Sequence, residues 1–264
     1  MVKEIRDRER ILQFLLQDPF LHVYSIGDLD EFFWPYTRWF SLSGPDGIEA
    51  LFLLYTADSE CPTLLAFEER RPERAEALLR ELSRRLPPHF RAHISDALEP
   101  ACRSLFPVGH ARRSLKMRLD RGALRSPPLN PIPLVRLGRG DLSRVLAFYS
   151  EAYPENFFDP RMLETGQYLG VEQAHGLVAV AGIHVYSGQY RVAALGNIAT
   201  HPAFRRRGFG VALTHRLCSN LFETVDFIGL NVRRENEAAI RCYEQLGFRI
   251  HSAFLEVEVG GGPA

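Results

Sequence analysis

Six consecutive residues, Arg205–Gly210, constrain this chain most, because they place three arginines and two glycines between two patterned segments. A strand-like run ends just before them, at Ile198–Pro202, and a helix-like run starts just after, at Val211–Leu213. Glycines let the backbone come close to a ligand and adopt unusual φ/ψ values. The first amide groups of the following helix would then point at an anion, aided by the helix dipole. The segment therefore predicts a strand–loop–helix unit that cradles a phosphate group.

The chain has 264 residues, of which 46% are hydrophobic, so it can bury the core of one large domain or of two ordinary ones. A division falls at 121–133, a stretch with four prolines and no periodicity. Such a composition is typical of an extended, stiff linker. We therefore expect domains at 1–120 and 134–264, joined by this linker.

The C-terminal half alternates strand and helix patterns, which indicates a mixed α/β fold. Val192–Thr200 reads as a strand with Gly196 inside it, and an internal glycine often marks a bulge. Val225–Val232 is apolar on both faces and is expected to be a central strand. Asn236 precedes a helical apolar stripe that ends at Gly247, a suitable residue to follow a helix.

The N-terminal half repeats this order of elements more weakly, which indicates a diverged duplication. Its patterns predict strands and helices in the following order: a helix at 8–17, strands at 48–55 and 63–67, a helix at 72–86, a strand at 91–94, a helix at 98–106 and a strand at 115–119.

Composition narrows the classes of partner. The formal net charge is zero, so charge alone favours neither nucleic acid nor membrane as a partner. The four cysteines form no C-x-x-C pair and have no zinc-ligand spacing: Cys61, Cys102, Cys218 and Cys242. The charged N-terminus differs from a signal peptide, and no apolar run reaches transmembrane length. We therefore expect a reduced, cytoplasmic protein with no metal, nucleic-acid or membrane partner.

Known phosphate-binding motifs with glycines fit the loop poorly. A dinucleotide-binding fingerprint needs a third glycine, where this chain has Leu213, and an acidic residue after the next strand. A P-loop needs Gly-Lys followed by Ser or Thr, and the loop has no lysine.

Two motifs together resemble the GCN5-related N-acetyltransferase (GNAT) superfamily. The first is Arg205-x-x-Gly208-x-Gly210 between a strand and a helix. The second is Asn236-x-x-Ala239-x-x-x-Tyr243, followed by Gly247 and Phe248, after the strand Ile228–Val232. The resemblance covers roughly 134–259 and implies tandem GNAT-like domains of α/β class. Each would be a mostly antiparallel sheet flanked by helices, and central parallel strands would splay apart in the C-terminal domain.

The resemblance implies acetyl-CoA as cofactor, one molecule per chain, and transfer of its acetyl group to a primary amine by direct attack. The acceptor would be a small molecule or a peptide. The residues expected to bind the cofactor are the end of the first splayed strand, the loop and parts of the second motif: Ile198, Ala199, Thr200, Arg205, Arg206, Arg207, Gly208, Phe209, Gly210, Asn231, Asn236, Ala239 and Tyr243.

Tyr243 would also protonate the leaving thiolate, although a phenol of pKa ~10 gives its proton to a thiolate of pKa ~8.5 only at some cost. A lysine-like acceptor costs about 4–5 kcal/mol to deprotonate at pH 7, so a general base, a water chain or desolvation must meet that cost. Glu172 and His184 are the candidates for this base. The alternatives are a core role for Tyr243 and His184 and a solvated hairpin position for Glu172.

Cys242 points about 100° away from Tyr243 around the helix, which argues against an acetyl-cysteine.

The N-terminal half departs from the motif at the equivalent loop, Phe67–Arg74. This loop has no glycine, Pro72 lacks an amide hydrogen, and three glutamates would repel phosphates. We expect no cofactor there. A dense group of aromatic residues in this half would either pack in a core or form a wall of the acceptor pocket: Phe32, Phe33, Trp34, Tyr36, Trp39 and Phe40.

Three functions remain distinguishable at this point. The first is an acetyl-CoA-dependent N-acetyltransferase with one active domain, and the second is a non-catalytic acyl-CoA sensor or scaffold on the same fold. The third, a nucleic-acid-binding module, has only the three arginines of the loop in its favour. The acceptor and the oligomeric state do not follow from the sequence.

Overall fold

A computed structural model describes residues 2–127, 132–174 and 176–260 of the chain. Contacts between residues group the chain into two compact units. The first unit comprises the residues up to Lys116 together with those from His251 onward, and the second comprises Met117–Ile250. Residues 128–131 of the expected linker lie outside the described residues.

The first unit is a mostly antiparallel sheet with helices packed against it. Its elements, with the strand that leads into the second unit and the last strand of the chain, are β1 (Val2–Ile5), α1 (Arg8–Leu15), α2 (Val23–Gly27), β2 (Thr37–Gly44), β3 (Gly47–Tyr55), β4 (Thr63–Ala66), α3 (Pro72–Leu82), β5 (Phe90–Ser95), α4 (Glu99–Leu105), β6 (Val108–Leu119) and β12 (Arg249–Val259). The strand order is β1-β2-β3-β4-β5-β12, and β4 with β5 forms a parallel pair. Leu78, Leu79 and Leu82 of α3 are buried in its core.

The last strand belongs to a different unit from the one expected. The sequence places it in a domain at 134–264, but β12 pairs antiparallel with β5, from Phe254 opposite Ser95 to Val259 opposite Phe90. Its apolar residues Leu255, Val257 and Val259 are buried in the core of the first unit. The alternating pattern of a strand shows which of its faces is buried, but not which strand it pairs with. The sequence therefore does not specify that β12 joins the sheet of the first unit.

The start of the expected linker is part of the second unit. Arg121–Ala123 forms a short 3₁₀ turn, and the amide of Arg125 donates to the carbonyl oxygen of Leu246 at 3.0 Å. The Arg121 guanidinium also donates to the carbonyl oxygen of Val225 at 2.9 Å. The chain is therefore fixed to the second unit from Met117 onward rather than extended at 121–125.

The second unit has the same plan as the first. Its elements are β7 (Val135–Leu137), α5 (Leu142–Ala152), β8 (Tyr168–Gln173), β9 (Gly176–Ser187), β10 (Val192–Thr200), α6 (Phe209–Leu221), β11 (Phe227–Arg233) and α7 (Glu237–Gln245). The strand order is β7-β8-β9-β10-β11, antiparallel except for the β10–β11 pair. The apolar stripe of α6 is buried, as its helical period predicts.

The parallel pair of the second unit creates the opening in which a site can form. β10 and β11 are paired from Val192 opposite Phe227 to Leu195 opposite Leu230. Both strands continue beyond that point, β10 to Thr200 and β11 to Arg233. The expected fold class, with two similar mixed α/β units and splayed parallel strands in the second, is confirmed.

Candidate active site

A bulge distorts β10 where it leaves β11. The antiparallel register with β9 shifts between Gly196, opposite Gly182, and Ala199, opposite Val180. A bulge at Gly196 was expected, but the residue with left-handed backbone is its neighbour Asn197, with φ of 54°. Asparagine tolerates this conformation better than most residues do. Gly196 serves another purpose, because a methyl group on its Cα would overlap the imidazole of His184.

The loop after β10 has the backbone conformation that an anion site uses. A 3₁₀ turn at Pro202–Phe204 is capped by His201, whose Nδ1 accepts from the amide of Ala203 at 3.3 Å. Arg206 and Gly208 then have positive φ, at 63° and 80°. A non-glycine residue in this region stores strain, and such strain is concentrated at functional sites.

The loop delivers the N-terminus of α6 next to the end of β10. α6 begins at Phe209, and its first amide groups have no partner within the helix. Arg205 donates from Nε to the carbonyl oxygen of Thr200 at 3.2 Å. A Cβ on Gly210 would lie 3.6 Å from the Thr200 hydroxyl, so helix and strand end are close neighbours. The expected loop residues and the expected strand residues are thus brought together.

Asn231 lies one residue beyond the last paired position of β11. Its Oδ1 is buried, and no described residue donates a hydrogen bond to it. A buried acceptor without a donor costs about 1–3 kcal/mol. This cost is offset when a ligand supplies the missing N–H, and Asn231 therefore fits the edge of a binding groove.

The second motif forms α7 as expected. Asn236 caps this helix, with its side chain accepting from the amide of Ala239 at 3.2 Å. Gly247 follows the helix with φ of 99°, and Phe248 donates back to the carbonyl oxygen of Tyr243 at 3.0 Å. The Tyr243 side chain is 9% exposed, and its ring lies 5.7 Å from that of Phe248. Tyr243 is therefore packed in the second unit and retains a small exposed area.

The cysteines near Tyr243 are poor nucleophiles. Burial raises the pKa of the Cys242 thiol to about 11, and burial also raises the pKa of Cys218. A nucleophilic cysteine needs a thiolate at neutral pH. The thiol environment therefore agrees with the expected direct attack of the acceptor.

His184 lies on β9 beside the bulge. Its Nε2 is 3.3 Å from Oδ1 of Asn197, and burial lowers the pKa of His184. The Phe157 ring stands edge-on to the imidazole at 6.4 Å and is 61% exposed. The imidazole is thus neutral at physiological pH and lies next to the bulged strand, with the exposed Phe157 ring beside it.

A match to a family model identifies the second unit. Residues 141–248 match the model of the acetyltransferase (GNAT) family. That range contains the bulged strand, the loop and α7. The second unit is a GNAT domain. No curated protein sequence matches the chain.

Solved structures extend the fold comparison to both units. A tandem GNAT protein from the clavulanic acid biosynthesis pathway is 16% identical, with a TM-score of 0.59, and the match covers 100% of this chain and 99% of that one. A GNAT-family acetyltransferase from Novosphingobium aromaticivorans is 19% identical, with a TM-score of 0.60 and coverage of 84% and 92%. A Drosophila protein is 10% identical, with a TM-score of 0.73 and coverage of 98% of each chain. At these identities the matches show the fold, which is that of two GNAT-like units.

Glu172, the other candidate base, lies away from the GNAT bulge. It is on β8 opposite Leu177 of β9, near the end of the hairpin, and its carboxylate forms an ion pair with Arg144 of α5. β8 is separated from β10 by β9 in the sheet. The structure therefore brings His184, and not Glu172, next to the distorted strand.

The GNAT-like first unit fills its equivalent loop with its own carboxylate. Oε1 of Glu68 accepts from the amides of Arg70 and Arg71, at 2.6 and 2.9 Å. The carboxylate is buried and caps the amides that precede α3. This arrangement supports the expectation that no phosphate binds there.

The aromatic cluster of the first unit contributes mainly to packing. Trp39 and Phe40 of β2 and Phe33 before it are buried, whereas Tyr36 is exposed. Trp34 stacks on Trp39, with the Arg8 guanidinium 4.3 Å from the Trp34 ring. The core interpretation therefore holds for the three buried residues of the cluster, and Trp34 packs against one of them.

Within the described ranges of the chain, no set of three or more His, Cys, Asp and Glu side chains is arranged to hold a metal ion. None of the helices in these ranges has the length and apolar character needed to span a membrane.

Proposed function

We propose that the chain is an acetyl-CoA-dependent N-acetyltransferase in which the second unit binds the cofactor and catalyses transfer to a primary amine. The observation that carries the proposal is the orphaned Oδ1 of Asn231, buried where β10 and β11 diverge. The N-terminus of α6, with its unpaired amide groups, lies next to the same end of β10. An extended ligand with an amide N–H and a phosphate fits both features.

Different residues of the second unit bind different parts of acetyl-CoA. The amides of Arg206–Gly210 hold the pyrophosphate, because they combine a left-handed loop with a helix N-terminus. Arg205, Arg206 and Arg207 add positive charge. The backbone of Ile198, Ala199 and Thr200, which β11 no longer covers, binds the pantetheine as an added strand would.

The second motif completes the groove. Oδ1 of Asn231 accepts from a pantetheine amide, and Asn236 and Ala239 at the start of α7 border the chain of the cofactor. When bound, acetyl-CoA supplies a thioester whose carbonyl carbon forms the new C–N bond as the C–S bond breaks. Tyr243 donates a hydrogen bond and then a proton to the departing sulfur.

His184 is the base that we favour. It takes the proton that the amine loses, so the proton released at nitrogen and the proton delivered to sulfur balance. Its neutral imidazole beside the bulge suits this role, whereas Glu172 is occupied by Arg144. The exposed Phe157 ring stands beside His184, and we expect the acceptor to approach His184 from that side.

The test is amine-dependent release of the free CoA thiol. Wild-type protein is incubated with acetyl-CoA and a panel of peptide, polyamine, amino-sugar and aryl-alkyl amines. Tyr243→Phe should lower kcat by about 100-fold or more while leaving the Kd for acetyl-CoA within about twofold. Tyr186→Phe is the matched control, because the Tyr186 hydroxyl bonds to Thr224 instead.

Two results would redirect the proposal. Unchanged turnover in Tyr243→Phe would refute the role of Tyr243. Tight binding of acetyl-CoA with no acetylated amine across the panel would favour the alternative, a non-catalytic acyl-CoA sensor or scaffold.

A further inference from the structure

Asn197 occupies a special place in the second unit. It is the left-handed residue of the β10 bulge, with φ of 54°, and its side chain is 3% exposed. The Tyr149 hydroxyl donates to its carbonyl oxygen at 2.5 Å. Its backbone is therefore held by α5 while its side chain points to buried polar groups.

The orientation of the Asn197 amide follows from its partners. The backbone N–H of Phe157, which can only donate, lies 3.2 Å from Oδ1. On the other side, Nδ2 donates to the Tyr168 hydroxyl oxygen at 3.0 Å, and Tyr168 donates its own proton to the carbonyl oxygen of Ile183 at 2.8 Å. If the Asn197 amide were flipped, its NH₂ group would face the N–H of Phe157, and two donors would oppose each other. Oδ1 is therefore the atom that faces Phe157.

This orientation determines the tautomer of His184. Nε2 of His184 lies 3.3 Å from the same Oδ1, which has no proton to give. Nε2 must therefore carry a hydrogen and donate it. In a neutral imidazole the lone pair is then on Nδ1.

We propose that Asn197 is a positioning residue, which holds His184 as the Nε2–H tautomer and so makes Nδ1 the atom that takes the proton from the acceptor amine. This inference rests on the proposed function. As the amine nitrogen bonds to the acetyl carbon, its proton moves to Nδ1, and the resulting imidazolium keeps its Nε2–H bond to Oδ1. Gly196 leaves the space in which the ring is held.

Three ionisable groups near His184, namely Tyr149, Tyr168 and Asp159, have pKa values shifted away from neutral pH. Burial raises the pKa of Tyr149 and of Tyr168. Asp159, which faces Tyr168, is paired with Arg161 at 2.7 Å, and that partner contributes to lowering its pKa. Burial lowers the pKa of His184 from 6.5, so the loss of its base function should appear as a fall in rate below pH 6.5.

The direct test measures which tautomer His184 adopts. Long-range ¹H–¹⁵N spectra of the imidazoles, with the His184 signals assigned from His184→Gln, should show a protonated Nε2 and an unprotonated Nδ1 at pH 7.5. In Asn197→Gly, which retains the left-handed backbone, the spectrum should shift to a mixture of tautomers. A protonated Nδ1 in the wild type, or an unchanged spectrum in Asn197→Gly, would overturn the inference.

Kinetics then test positioning against a merely structural role. Asn197→Gly should lower kcat by about 10- to 100-fold, because part of the rate enhancement from general-base catalysis is lost. The Kd for acetyl-CoA should stay within about twofold. Asn197→Asp, which keeps the acceptor oxygen and adds charge, should restore turnover and move the acid limb of kcat/KM to higher pH. In the His184→Gln background, Asn197→Gly should cost nothing further.

The outcomes separate the two claims. If Asn197→Gly lowers kcat equally in the wild-type and His184→Gln backgrounds, the positioning role is overturned. The loss would then come from a change in the bulge and not from His184. The expected tautomer in a wild-type protein that acetylates no amine would overturn the proposed function instead.

Discussion

Lys116 is a buried amine whose replacement should stabilise the first unit. It is 2% exposed, and its Nζ has no hydrogen-bond partner among the described residues. The ammonium lies 3.8 Å from the centroid of the Phe67 ring, 5.1 Å from Phe254 and 5.3 Å from Tyr24. Burial lowers the pKa of Lys116 from 10.5 to about 7, against the opposing effect of Glu69, Asp18 and Glu256.

The sign of the pH dependence follows from this shift. The folded state binds the lysine proton less tightly than the unfolded state, so between pH 7 and 10.5 the unfolded chain holds more protons. The free energy of unfolding therefore rises with pH across this window. Below pH 7 the full penalty applies, and lowering the pKa from 10.5 to about 7 corresponds to about 5 kcal/mol of destabilisation. Lys116→Met removes the penalty, less the cation–π attraction to the rings.

The assay uses the two tryptophans, Trp34 and Trp39, both of which lie in the first unit. Urea unfolding followed by tryptophan fluorescence should show Lys116→Met more stable than wild type by a few kcal/mol at pH 7. The difference should shrink toward zero by pH 10. Asp28, whose pKa burial raises to about 8, is present in both proteins, so its contribution cancels.

Lys3→Met is the control, because Lys3 is the other lysine of the chain and is exposed. This variant should leave stability unchanged at both pH values. A Lys116→Met protein that is less stable than wild type at pH 7, or a difference that does not vary with pH, would show that the buried ammonium does not destabilise the first unit.

Three other changes test separate contacts. Asn231→Leu should raise the melting temperature of the free protein by about 2–4 °C, because a buried orphan acceptor is removed, and should raise the Kd for acetyl-CoA by about 5- to 30-fold. Scanning calorimetry and titration calorimetry measure the two effects, and unchanged affinity would exclude the contact. Glu68→Ala should destabilise the first unit by about 1.5–3 kcal/mol in the same tryptophan assay, because two amides lose a charged acceptor, and an unchanged midpoint would contradict it. Phe157→Ala should raise KM for aryl-alkyl amines about 10-fold more than for small aliphatic amines, because an aromatic contact is lost; equal effects would refute an acceptor role for this ring.

Local chemistry made the loop of the second unit predictable. Gly208 supplies a positive φ, Asn236 is a capping residue and Gly247 ends a helix, and each of these preferences acts within a few residues of its position. The parallel pair could also be anticipated, because Val225–Val232 is apolar on both faces.

Contacts between distant residues could not be read in the same way. β12 is a clear strand pattern, but its pairing with β5 joins residues more than 150 positions apart. β2 was missed because its aromatic residues obscure the alternation of a strand. The pairing of Asn197 with His184 depends on the bulge, and the only local signal was an asparagine next to a strand glycine.

We propose a single cofactor site per chain, located at the loop of the second unit. Titration calorimetry of the wild-type chain with acetyl-CoA should give one equivalent bound. Gly208→Val, which places a β-branched residue at a φ of 80°, should abolish that binding, whereas Glu68→Ala in the first unit should leave the stoichiometry at one. Two equivalents in the wild type, or full binding by Gly208→Val, would contradict a single cofactor site at this loop.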